Sequence, residues 1–176
     1  LYRSADESYA MMKEYNEQTV ADIVKAQTAE DGSVNVAKVV EKIGQFFLPI
    51  APLVTEGDLK SLDSESVVRF ISVAVDEVFS SKSQEQDKKS GKAMSLGRSA
   101  NYITLVTMDN AWSDHLQNME NLKESVILRK YQNLDPVAEY RNEAFSLFQG
   151  LEDKMRFNAV YSLWQSLASA GVAQTA

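Results

Sequence analysis

The chain has 176 residues, 44% hydrophobic and 24% charged, with a net charge of −7 and a pI near 4.8. That length allows one ordinary domain or two small ones. The acidic balance excludes a general nucleic-acid binder, which needs a basic face to displace counterions, and the lack of cysteine excludes disulfides, thiolate nucleophiles and cysteine-based zinc sites.

Seven Gly and three Pro are few for a turn-rich β fold, and no stretch alternates with period two long enough to build a sheet. The expected class is all-α. The chain opens on Leu1 rather than Met, with no signal-peptide pattern after it, so it reads as a segment trimmed or excised from something longer. Its longest nearly apolar run, Phe46 to Val54, has nine residues and two prolines. A membrane span needs about 20 apolar residues, so no crossing by this chain is expected, although peripheral association with a membrane surface is compatible.

Residues from about Ala5 to Thr28 carry Tyr9, Met12, Val20, Ile23 and Val24 among many charges, which predicts a helix with a narrow buried stripe. Asp31-Gly32-Ser33 breaks it. Val36, Val39, Val40, Ile43, Phe46 and Phe47 return to helical spacing, and Leu48-Pro49-Ile50-Ala51-Pro52 then has to leave it, because each Pro restricts the residue before it. Thr55 and Asp58 have capping-box spacing. Ser64 is the expected N-cap of a further helix, whose apolar residues are Val67, Val68, Ile71, Val75, Val78 and Phe79. The polar run Ser80 to Gly91 offers no face to bury. It reads as a frayed extension or a link, and the expected domains are 1–91 and 92–176.

The strongest periodicity follows. Leu105, Met108, Trp112, His115 or Leu116, Met119, Leu122 and Val126 advance by three or four, which places them on one stripe of a long helix. From Thr104 to Arg129 that helix is roughly 39 Å long at 1.5 Å per residue. Asp135 is the expected N-cap of the next helix, and Pro136 suits its first position, where no N–H is needed. Val137, Tyr140, Ala144, Leu147, Leu151 and Met155 form the answering stripe, which Val160, Leu163, Trp164 and Leu167 extend. The short connection predicts an antiparallel hairpin. Ala170-Gly171 is the expected end of the ordered part.

No catalytic constellation competes with this hairpin. The one histidine, His115, has Asp114 as a neighbour, but adjacent helical residues point about 100° apart, so the expected role is packing beside Trp112 and Met119. Gly91-Lys92-Ala93 lacks the upstream Gly and the hydroxyl of a phosphate-binding loop. Asp31-Gly32-Ser33 is a turn and not a calcium loop. No catalytic residue, metal site or cofactor of its own is expected. Most aromatics read as core. Tyr131 differs, because it sits in the hairpin turn with Arg129 and Lys130, outside both stripes.

Trp112, His115-Leu116, Met119, Leu122, Leu128-Arg129, Tyr131, Asp135-Pro136, Glu139-Tyr140 and Glu143-Ala144-Phe145-Ser146-Leu147-Phe148 together resemble the helical scaffold of the SecA family, the motor ATPases of preprotein translocation. Phe46-Phe47-Leu48-Pro49-Ile50-Ala51 resembles the same family's helical wing. The resemblance implies a wing-like region followed by a two-helix finger. It implies that Tyr131 is the fingertip residue meeting a SecY-type channel or the translocating chain, with Arg129 and Lys130 beside it. It assigns Trp112, His115, Leu116, Met119, Leu122, Asp135, Pro136, Tyr140, Phe145 and Phe148 to the hairpin's framework. ATP and magnesium would act only through motor domains that this chain does not contain.

The departures are specific. Lys130 stands where the family usually has Gly before the tip Tyr, Lys123-Glu124-Ser125 where it has Arg-x-Gly, and Asn133-Leu134 where Gln-Lys precedes Asp-Pro. Two readings follow. One is the wing and finger of a translocase at the membrane surface of a bacterial cytoplasm or chloroplast stroma. The other is a detached scaffold or adaptor subunit that stabilises a larger membrane complex, the plastid thylakoid being the favoured setting.

Overall fold

The computed structural model describes residues 3–129 and 135–172, and the regular elements among them are all helical. In chain order they are α1 (Ala5–Ala26), α2 (Val36–Phe46), a 3₁₀ helix (Leu48–Leu53), α3 (Glu56–Leu59), α4 (Ser64–Ser90), α5 (Ser95–Arg129) and α6 (Pro136–Val172). The β pairing among them is one isolated antiparallel bridge, Thr28 to Val34. It closes the Asp31-Gly32-Ser33 turn, where Gly32 takes a φ of +82° that only Gly adopts freely.

The described residues form two compact units. The first takes those of 1–103 and 159–176, and the second is Thr104–Asn158, so α5 and α6 each give one segment to each unit.

The first unit holds the core. Met12, Val20 and Val24 of α1, Val39 and Ile43 of α2, and Val67, Ile71, Val75 and Phe79 of α4 are all buried together. Leu96 and Ala100 from the start of α5, and Val160, Leu163, Trp164 and Leu167 from the end of α6, complete it. The α6 residues expected to extend the hairpin stripe therefore belong to this core instead. At its centre the Trp164 ring meets Phe47 edge-on with centroids 5.2 Å apart and lies 5.9 Å from Phe79. Such aromatic pairs contribute about 0.5–1.5 kcal/mol each beyond their buried area. The indole Nε1 donates to Asn16 Oδ1 at 3.0 Å, which satisfies two buried polar groups at once.

Three local expectations need correction. Leu48–Leu53 leaves α geometry but stays helical as a 3₁₀ turn, which accepts Pro49 near its start and tolerates Pro52 within. The N-cap of α4 is Asp63 rather than Ser64: its carboxylate accepts the Ser66 N–H at 2.8 Å. The Ser66 hydroxyl, and then this N–H, hold the Asp63 carboxyl below its ordinary pKa. The polar run Ser80–Ser90 continues α4 and does bury one residue, Ser83. Lys82 and Lys89 pair with Glu85 from either side, and Asp87 caps the next helix from a distance, accepting from Met94 N at 3.1 Å and Ser95 N at 2.8 Å. The box at Thr55 and Asp58 forms as read.

Candidate functional site

The second unit is the hairpin. Asp135 caps α6 with its Oδ1 accepting from Val137 N at 3.1 Å and Ala138 N at 3.3 Å, and Pro136 is the first helical residue. Contacts across the unit run antiparallel. Lys154 pairs with Asp114 at 2.6 Å, Phe148 lies edge-on to His115, and Asn142 and Glu143 line a groove with Leu122 and Ser125.

The buried seam is Ala111, His115, Leu122, Val126 and, from α6, Leu151. His115, Leu122 and Val126 of the expected stripe are buried, and the stripe differs at Trp112. Trp112 and Leu116 are exposed and Ala111 takes the inner place, because a small residue lets two helix backbones approach where an indole would hold them apart. Met119 and Tyr140 are half-buried. Phe145 is 62% exposed, and Phe148 and Val137 also face outward. Leu105 is exposed too.

His115 is packed as expected of a structural residue, with its ring 5.5 Å from Trp112 and 6.2 Å from Phe148. Asp114 turns away to Lys154 and does not orient the imidazole. A cavity of about 190 Å³ beside it is lined by Ala111, Ser146, Gly150 and Leu151 among others. A wider groove of about 730 Å³ runs further along the hairpin, where Asn118, Asn121 and Asn142 present amides. The described residues hold no cluster of His, Asp and Glu suited to a metal ion, and no described helix is long and apolar enough to cross a membrane. Gly91 is the left-handed cap of α4, and the Lys92 carbonyl accepts from the Ser90 and Ser95 hydroxyls. That segment is a helix–helix turn.

Of the three tip residues, Arg129 is the last residue of α5, while Lys130 and Tyr131 lie outside the described residues.

The family model described as "SecA Wing and Scaffold domain" matches residues 2–166. The chain belongs to this SecA family. The protein translocase subunit SecA of Trichodesmium erythraeum (strain IMS101) is 35% identical over 168 residues, which cover 92% of this chain and 17% of that protein. SecA of Prochlorococcus marinus (strain NATL1A) is 30% identical over 153 residues, 85% of this chain and 16% of the relative. SecA of Synechococcus sp. (strain WH7803) is 29% identical over 166 residues. The chain thus spans about a sixth of the length of these relatives.

The SecA match runs through both compact units. It takes in the Leu-Pro-Ile-Ala run, which folds here as the 3₁₀ helix under the core residue Ile50, and the Asp-Pro start of α6. Sequence reasoning missed the amide-lined groove and the buried Asn16–Trp164 pair. A search for apolar periodicity passes over polar residues such as Asn16, Ser8 and Thr19, although all three are buried on the same face of α1.

Proposed function

We propose that this chain is the wing and two-helix finger of a SecA-type protein translocase, meeting a SecY-type channel or the translocating chain through Arg129, Lys130 and Tyr131. The observation that supports this reading best is the family match over residues 2–166, joined to a capped antiparallel hairpin whose two helices end on either side of Tyr131. In this reading the chain is not an enzyme alone and holds no cofactor of its own. Nucleotide chemistry belongs to motor domains carried elsewhere, and motion reaches the tip along α5. The setting is a membrane surface facing a bacterial cytoplasm or a chloroplast stroma.

A photo-crosslinker at Tyr131, in the full protein carrying this chain, tests it. Adducts with channel subunits or with a stalled preprotein are expected, and Tyr131→Ala should depress translocation at least tenfold. Wild-type translocation by Tyr131→Ala, with no adduct to either partner, would refute the tip's role.

A second reading, a SecA-derived scaffold or adaptor subunit of a larger membrane complex, plastid thylakoid complexes included, is favoured by one set of observations. Lys130 replaces the tip Gly, and the hairpin leaves Leu116 and Phe145 exposed and Trp112 and Phe148 partly so. There, Leu116→Asp or Phe145→Asp should abolish co-purification with the complex while Tyr131→Ala leaves it intact.

A further inference from the structure

Helix α4 carries two faces. Val67, Ile71, Val75 and Phe79 recur every four residues and face the core. The face turned away from that core is not uniformly polar, as a surface helix would ordinarily be. It presents Phe70 and Val73, with Val73 55% exposed and Phe70 exposed beside it, while Ala74 is half-buried against the core at the groove's inner edge. Leu53 from the end of the 3₁₀ helix, exposed as well, and Leu62 from the loop before α4 stand beside them and complete a groove of about 520 Å³. Its α4 lining runs from Ser66 to Glu77 through positions spaced three and one. That spacing is the stripe one helix offers another, about 16 Å long at 1.5 Å per residue.

The rim of the groove carries two charges of opposite sign. Arg69 lies about one turn in from Ser66 and Glu77 ends the α4 lining, both exposed and eight residues apart. Neither forms an ion pair with another described residue. Asp63, which feels the Arg69 charge, accepts the Ser66 N–H, and Lys13, the cation beside Asp76, is bridged to that residue at 2.7 Å.

We propose that this groove docks one amphipathic helix of a protein partner. The helix seats its apolar stripe on Phe70, Val73 and Leu53, sets a carboxylate at Arg69, and sets a lysine or arginine at Glu77 seven or eight residues away. The walls are helical except at Leu62 and include no strand edge to which another strand could add, and one aromatic ring is too little for a polyproline ligand. Arg69 is the single cation on the rim, which gives anionic lipid little to hold. The rim charges select the partner's spacing of acid and base, while the apolar floor supplies most of the affinity.

Three labelled helical peptides of about 18 residues test this. They share one apolar stripe and differ at two flanking positions eight apart: Glu and Lys, Glu and Glu, or Lys and Lys. Fluorescence anisotropy at 0.15 M salt reads binding to the chain. The Glu/Lys peptide should bind roughly threefold tighter than either other, the size expected of exposed ion pairs. Arg69→Glu should move the preference to the Lys/Lys peptide, Glu77→Lys should move it to the Glu/Glu peptide, and Val73→Lys should weaken all three at least tenfold. Circular dichroism of each variant confirms that the fold is kept. Equal binding of the three peptides, a preference unmoved by Arg69→Glu, or no binding at all would overturn the proposal. So would concentration-dependent self-association abolished by Val73→Lys, which would make a second copy the occupant.

Discussion

Removing the hydrogen bond at the centre of the first unit gives a test whose size follows from the structure. Trp164 is fully buried and its Nε1 donates to Asn16 Oδ1 at 3.0 Å, with Asn16 itself almost fully buried. Trp164→Phe keeps an aromatic ring against Phe47 but strands the Asn16 carbonyl. An unsatisfied buried acceptor costs about 1–3 kcal/mol, and the smaller ring adds about 1 kcal/mol of lost packing. The expected destabilisation is therefore about 2–4 kcal/mol, a large share of the ~5–15 kcal/mol that holds a typical protein folded. Asn16→Leu strands the indole N–H instead and should cost about 1–3 kcal/mol. The double variant leaves no orphan. Its cost should fall short of the sum by about 1–2 kcal/mol, because the two changes share one interaction. Urea unfolding followed by ellipticity at 222 nm measures all four proteins. Single costs that add to within about 0.5 kcal/mol would mean that the bond contributes nothing beyond packing, and the reasoning would fail.

Other expectations follow from the same coordinates. A Cβ at Gly97 would overlap the Ala5 carbonyl oxygen, so Gly97→Ala must part α5 from the start of α1 and should cost at least ~2 kcal/mol in the same unfolding assay; a neutral result would refute the close approach. Asp87→Ala removes the acceptor of two N–H groups at the start of α5, with an expected loss of about 1–2 kcal/mol that Asp87→Asn should partly recover. The Lys89 ammonium bonded to Glu85, with Lys82 on its other side, lowers the Glu85 carboxyl to about 2. Because the folded value lies below the unfolded one, the stability it adds is complete above about pH 4.5 and disappears as pH falls towards 2. Glu85→Gln should flatten the melting temperature against pH in that window, and an unchanged slope would contradict the pairing. Hydrogen exchange should find slower amides in the first unit than in Thr104–Asn158, whose buried side chains among the described residues are only Ala111, His115, Leu122, Val126 and Leu151. Uniform protection would refute that ordering.

Periodicity made the helices legible because apolar residues recur at three- and four-residue spacing, most regularly at Val67, Ile71, Val75 and Phe79 of α4, and Asp135-Pro136 announced the start of α6 by chemistry that fits few other positions. What it could not settle was which of two adjacent stripes on α5 turns inward. Ala111 and Trp112, or His115 and Leu116, satisfy the same three-and-four spacing, and the choice depends on how closely the partner helix approaches. Nor does an apolar count see a helix held by charges. Ser80–Ser90 stays helical through the Lys82–Glu85–Lys89 pairs and through the distant cap from Asp87, none of which needs a hydrophobic face. At the start of α4, Asp63 and Ser64 are both good capping residues, and only the backbone turn decides between them.

The two long helices obey different physics along their length. At one end, Leu96 and Ala100 of α5 and Val160, Leu163, Trp164 and Leu167 of α6 are immersed in a large core. At the other, the same helices touch through a seam of small and medium side chains, leave Leu116 and Phe145 exposed, and leave Trp112 and Phe148 half exposed against His115. Fully burying an exposed ring or leucine is favourable by about 1.5–3 kcal/mol, so this hairpin forgoes part of that stabilisation at four positions. Its helices persist because each is continuous with a segment already ordered in the core, where the nucleation cost of a helix is met once. The uncovered side chains are then surface available to whatever partner the hairpin meets, whether a channel, a translocating chain or a larger complex.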